Sequence, residues 1–198
     1  MFAFTATSAG FASRVDASER TLLARLVRDV RELVAGSERA TPRGDDDPIA
    51  HLDFDPDQRE TPSDPALARL VAPMSTSDPD LADELRGLTA DELRRSKLAN
   101  LDLLARSLAA GAETVLVRRG EEQQWLAALT DIRLVLASRL GIEDDADSER
   151  FHAIAVAATR QAAPEADERT TALAALYSGL TWWQESLLLA VTGEAPAI

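Results

Sequence analysis

Leu22, Leu23, Leu26, Val27, Val30, Leu33 and Val34 recur at three- and four-residue intervals, the spacing that lines one face of a helix with apolar side chains. Asp16-Ala17-Ser18-Glu19 stands just before them with the residue types of a capping box, an acceptor at the N-cap and Glu three positions on. Together they predict a first helix, which Gly36 closes. Ahead of it the pattern is different. Residues 2–7 and 11–15 are short runs with aromatics that flank Ser8-Ala9-Gly10, and they read as a β-hairpin.

Further along, Asp64-Pro65 and Asp78-Pro79 each set proline at a first helical position. They predict short helices ending near Val71 and Gly87. Thr89-Ala90-Asp91-Glu92 repeats the capping-box types and predicts a separate helix with Leu93, Leu98, Leu101, Leu104 and Leu108, closed by Gly111. Residues 113–118 are the one internal segment with strand character, expected to pair with the hairpin. Trp125, Leu129, Ile132, Leu136 and Leu140 mark a helix to Gly141. The acidic run Glu143 to Glu149 precedes another through about Arg160, and the last runs from beyond Pro164 to about Thr192. The expected fold is α+β and predominantly helical: about seven helices, with a small sheet from the N-terminal hairpin and one internal strand.

Residues 41–64 break the pattern with Pro42, Pro48, Pro56 and Pro62, and with eight acids against two arginines. A segment with so little apolar surface cannot offset its ordering entropy. It reads as a mobile acidic connection, tolerant of shortening, within a single domain spanning 1–198.

The last helix is apolar on more than one side. Leu173, Leu176, Tyr177, Leu180, Leu187, Leu188 and Val191 form one stripe, expected to face the core. Ala175, Gly179, Trp182 and Leu189 form a second, with Trp183 near the boundary. Such a helix is central to its own core or partly covered by another chain. Successive helical residues point ~100° apart, so Trp182 and Trp183 cannot fill one seam. Trp183 is assigned to the core; Trp182 and Leu189 are candidate partner contacts.

Composition narrows the functions. Hydrophobic residues make up 45% and aromatics 5%, which suits a Leu, Val and Ala core built of helices. The formal net charge is −13. Affinity for a nucleic acid comes largely from phosphates neutralised by Lys and Arg, so this balance argues against a polyanion and against an anionic membrane surface. It is compatible with a basic protein partner; a homo-oligomer is left open by the sequence. Arg94, Arg95 and Lys97, with Arg118 and Arg119, are the candidate anion or DNA contacts, in an arrangement that faintly suggests a winged-helix reader. Within the Trp125 helix, Asp131 and Arg133 interrupt an apolar context and each needs its own partner. Arg133 with Glu185 is the candidate buried ion pair.

The chemistry-bearing motifs are thin. There is no cysteine, which excludes disulfides, thiolate metal sites and thiol nucleophiles. Asp53, Asp55, Asp57 and Asp64 match part of a calcium-loop spacing, but Gln58 replaces the turn glycine, and the run reads as a solvated linker. His51 and His152 have no second ligand at metal spacing. Neither a Gly-rich phosphate loop nor a Gly-x-Ser-x-Gly elbow is present. The expectation is a protein that is not an enzyme and takes no cofactor. Residues 1–11 have neither the basic nor the apolar region of a signal peptide, and the expected location is the cytoplasm. A small-molecule-binding domain is an alternative reading.

Four stretches resemble the AosR-like oxidative-stress regulators of high-GC Gram-positive bacteria: Asp64 to Leu70 with Pro73; Leu85-Arg86 through Leu93-Arg94 to Lys97-Leu98; Trp125 to Leu136 with Leu140-Gly141-Ile142; and Tyr177 to Leu187. This chain has Thr130 where the family pattern has Asn before the Asp at 131. The resemblance implies a regulator of transcription under oxidative stress that works with an alternative sigma factor. Thiol sensing is impossible here without cysteine.

These readings predict no measurable duplex DNA binding near physiological salt. Tight binding to a defined promoter, with log affinity falling by about 0.9 per phosphate contact against log salt, would instead establish the DNA reading.

Overall fold

The computed structural model describes residues 1–36, 64–71, 79–111, 113–160 and 166–193, with only the backbone of 79–89. The elements run β1 (Thr5–Thr7), β2 (Gly10–Arg14), α1 (Ala17–Gly36), α2 (Pro65–Leu70), α3 (Pro79–Ala109), β3 (Thr114–Arg118), α4 (Glu122–Leu140), α5 (Asp145–Thr159) and α6 (Glu168–Thr192). The three strands form one antiparallel sheet in the order β1-β2-β3, pairing Thr7 with Gly10 and Phe11 with Val117. The internal strand therefore joins the hairpin, as its residue types predict.

The hairpin turn is Ser8-Ala9, and β2 starts at Gly10. A side chain there is untenable. Gly10 has φ +145°, and a Cβ would stand 2.0 Å from the Val117 carbonyl oxygen of the neighbouring strand. The Asp16 capping box forms in full. The Glu19 N–H donates to the Asp16 carboxylate at 2.8 Å, and the Asp16 N–H donates to Glu19 at 3.1 Å. The Ser18 hydroxyl and the backbone N–H groups of Glu19 and Ser18 hold the Asp16 carboxyl below its ordinary range.

Six helices are found among the described residues, against about seven expected. The helices predicted to end at Gly87 and to begin at Thr89 are one, α3. A glycine inside a helix costs about 1 kcal/mol relative to alanine and does not stop it. A Thr-x-x-Glu pattern caps a helix only where the chain turns there. Residues 41–63 lie outside the described residues. Asp64 is already folded structure, the N-cap of α2, accepting from the Ala66 N–H at 2.8 Å.

α4 is the central element, packed against α2, α3 and α6 and touching α1. Trp125, Ala128, Leu129, Ile132, Val135, Leu136 and Ala137 bury most of its circumference, and Asp131 is buried with them. The main core joins these to Phe4, Phe11, Val15, Val115 and Val117 of the sheet region, to Leu101, Leu104 and Leu108 of α3, and to Leu180, Trp183 and Leu187 of α6. A smaller cluster of Ala137, Ile142, Phe151, Ala155 and Ala174 seats α5.

Lys97 reaches Asp131 from α3, Nζ to Oδ1 at 2.6 Å, with 14% and 5% of the two side chains exposed. Burial pushes the Asp131 carboxyl above its ordinary range, and Lys97 pulls it part of the way back. The folded state thus holds this proton more readily than the unfolded chain, and the group's contribution to stability falls as pH rises through the carboxylate range. Replacing Lys97 by Met strands a buried carboxylate and should destabilise the fold by about 3–5 kcal/mol at neutral pH, with a smaller loss in acid. Adding Asp131→Leu should recover most of it. A double-mutant cycle by urea denaturation checks this, and additive losses would show that the two groups are not coupled.

Candidate functional site

The basic residues singled out by sequence do not form a face. Lys97 is turned inward on Asp131. Arg94 pairs with Asp91 at 2.9 Å and Arg95 with Glu92 at 2.6 Å, each three residues away on α3. Arg118 lies 3.7 Å from Glu121, and Arg119 donates to the Thr7 carbonyl at 3.2 Å while lying over the Phe11 ring. Neighbouring acids and backbone take up these cations. Lys97 and Arg94 are thereby largely covered, while Arg95 and Arg118 stay exposed on their local partners.

The two adjacent tryptophans of α6 separate as the helical angle requires. Trp183 is fully buried, stacks on Phe4 with ring centroids 5.0 Å apart, meets Trp125 edge-on at 6.0 Å, and donates its indole N–H to Ser13 Oγ at 2.9 Å. Ser186 accepts from the Phe4 N–H at 3.2 Å and binds the residue just ahead of β1 to the same helix. Trp182 is 46% exposed and Leu189 is half-buried. Leu188 and Val191, assigned by sequence to the core stripe, are exposed as well. The stripe fails there because the core side of this part of α6 is already occupied by Leu180, Trp183, Ser186 and Leu187. Leu188 points about 100° away from Leu187, and Val191, in line with Leu187, falls in the last turn of α6.

Arg133 does not pair with Glu185, which is exposed. Its Nε donates to Thr181 Oγ1 and its Nη1 to Gln184 Oε1, both at 2.9 Å, and the guanidinium lies 5.6 Å from the centre of the Tyr177 ring. Gln184 in turn donates to Thr130 Oγ1 at 2.8 Å and, at 3.4 Å, to the Leu126 carbonyl. Thr130 therefore holds the glutamine that holds the arginine. Helical spacing carried the signal: Thr130 and Arg133 are three apart, and Tyr177, Thr181 and Gln184 run at four and three. Which helix they would face was not written there. The Lys97–Asp131 pair, split between α3 and α4, left no local pattern at all.

His152 is exposed near Ser178, with Nδ1 3.5 Å from the hydroxyl, and His51 lies outside the described residues, as do Asp53, Asp55 and Asp57. Asp64 of that calcium-like spacing caps α2 and receives Arg139 at 2.7 Å, which holds its carboxyl below the ordinary range. In the acidic run before α5, Asp144 is the N-cap and accepts from the Asp147 N–H. Among the described residues no group of three His, Asp or Glu is placed to hold a metal ion, and no helix is long and apolar enough to cross a membrane. The indole N–H of Trp125 is buried without a partner among the described residues.

Trp183→Ala should destabilise the protein by roughly 3–5 kcal/mol, the cost of emptying a tryptophan site in a core. Trp182→Ala should leave the thermal melt close to that of the parent. Equal, large losses from both would place Trp182 in the core.

No curated protein and no solved structure matches this chain. A family model does, over residues 1–191, nearly the whole sequence and every element from β1 through the body of α6. The chain belongs to the family described as a domain of unknown function, DUF2017.

Proposed function

We propose that this chain is a non-enzymatic regulatory protein that acts by docking on another protein, in the transcriptional control of a stress response. The observation that carries the docking part is Trp182, a large aromatic left 46% exposed on α6 beside a helix face that buries its neighbour completely. Tryptophan is among the residues that most often anchor interfaces, because a wide apolar ring is desolvated with few rotamers to freeze. Leu189 extends the same side of the helix one to two turns on. The regulatory part, and an alternative sigma factor as partner in the cytoplasm, rest on the resemblance of the four stretches to AosR-like regulators. Any signal must reach this member by a route other than thiol oxidation, since it has no cysteine.

The DNA-contacting alternative loses its support with the inward turn of Lys97 and the local pairing of Arg94 and Arg95. Immobilised parent and Trp182→Ala proteins, exposed to lysate from the native cell and read by mass spectrometry, test the docking reading. The parent should retain a protein that the variant releases while melting at the same temperature. Identical capture by both would remove Trp182 as the anchor.

A further inference from the structure

We infer that Arg133 is the receiving group of a binding site for a small monocarboxylate. A guanidinium carries five N–H donors. Here one is spent on Thr181 and one on Gln184, both neutral oxygens, which leaves one N–H of Nη1 and both of Nη2 without a partner among the described residues. The residue is half-buried, so its charge is partly removed from water. No carboxylate of the described residues lies within ion-pair distance of it, although the chain holds 34 Asp and Glu. By contrast, Arg139 of the same helix is paired with Asp64, and Lys97 of α3 with Asp131.

The side chain is also held in place before any ligand arrives. Thr181 fixes Nε, Gln184 fixes Nη1, Thr130 fixes Gln184, and the Tyr177 ring lies beneath the plane. A planar fork whose remaining donors sit on the terminal nitrogens suits the two oxygens of a carboxylate, and immobilising it beforehand lowers the entropy lost on binding. One cation with no second basic group in the network balances one negative charge. A doubly charged phosphate would find half its charge unmatched within a protein of net charge −13. The site therefore selects a single carboxylate.

The chain's one tyrosine makes the site directly observable. Fluorotyrosine incorporated throughout the protein reports only from Tyr177, next to the guanidinium. Sodium acetate should shift its fluorine signal saturably, with half-saturation on the order of millimolar, while sodium chloride at matched ionic strength leaves it in place. Arg133→Gln should weaken the response about tenfold or more, the consequence of removing a charge-assisted hydrogen bond. If that variant does not fold, Arg133→Lys, which keeps the charge and loses the fork, should weaken it in the same direction. A response to chloride equal to that to acetate, or no saturable response to acetate, overturns the site. An unchanged half-saturation in the Arg133 variant overturns its assignment to Arg133. Tighter binding of inorganic phosphate than of acetate overturns the ligand class.

Discussion

The architecture depends on α4 being surrounded. A helix with Trp125, Leu129, Ile132 and Leu136 on one side and Ala128, Asp131 and Val135 on the next has little surface left for water. Each polar side chain on its flanks must find a partner inside the protein or bear the cost of desolvation. Asp131 finds Lys97 of α3, Thr130 and Arg133 find Gln184 and Thr181 of α6, and Arg139 finds Asp64 at the start of α2. Three neighbours are thereby tied to one helix by directional bonds. Apolar packing alone would allow those neighbours to slide or rotate; the polar ties select one arrangement.

The N-terminal hairpin is held by a second device. Phe4 lies against both Trp183 and Trp125, and hydrogen bonds to Ser186 and from Trp183 to Ser13 fasten β1 and β2 to a helix some 170 or more residues later in the chain. Aromatic contacts of this kind add to area burial, and the small hydroxyls satisfy polar groups that would otherwise be enclosed unpaired. The sheet is too small to stand by itself. α6 supports it through Trp183 and Ser186, with α3 and α4 packed on β3, and other sides of α6 carry Trp182 and the Arg133 network.

Charge follows the same economy. With acids in excess, several described basic side chains, among them Arg94, Arg95 and Arg150, have a carboxylate within a turn of helix, and exposed pairs of this kind contribute little to stability. Their effect is to set an acid beside each of these cations, which lowers the local positive potential. Arg133 is held instead by a hydroxyl, an amide and a ring, which orient a guanidinium without neutralising it.

Local pattern carried much of this protein. The Leu and Val spacing of α1, its Asp16–Glu19 box, the proline after Asp64, the glycine ending α4 and the strand at 114–118 are consequences of backbone geometry within a few residues, so they can be read in order. The angle between Trp182 and Trp183 is of the same kind, since helical rotation alone sends one inward and one outward. The fate of Gly87 was not legible, because a propensity of about 1 kcal/mol does not by itself end a helix. Nor were the partners of Lys97, Asp131 and Arg133, or the exposure of Leu188 and Val191. Those depend on which helix lies across from which, a relation set when distant faces bury one another, and only the tertiary structure decides it.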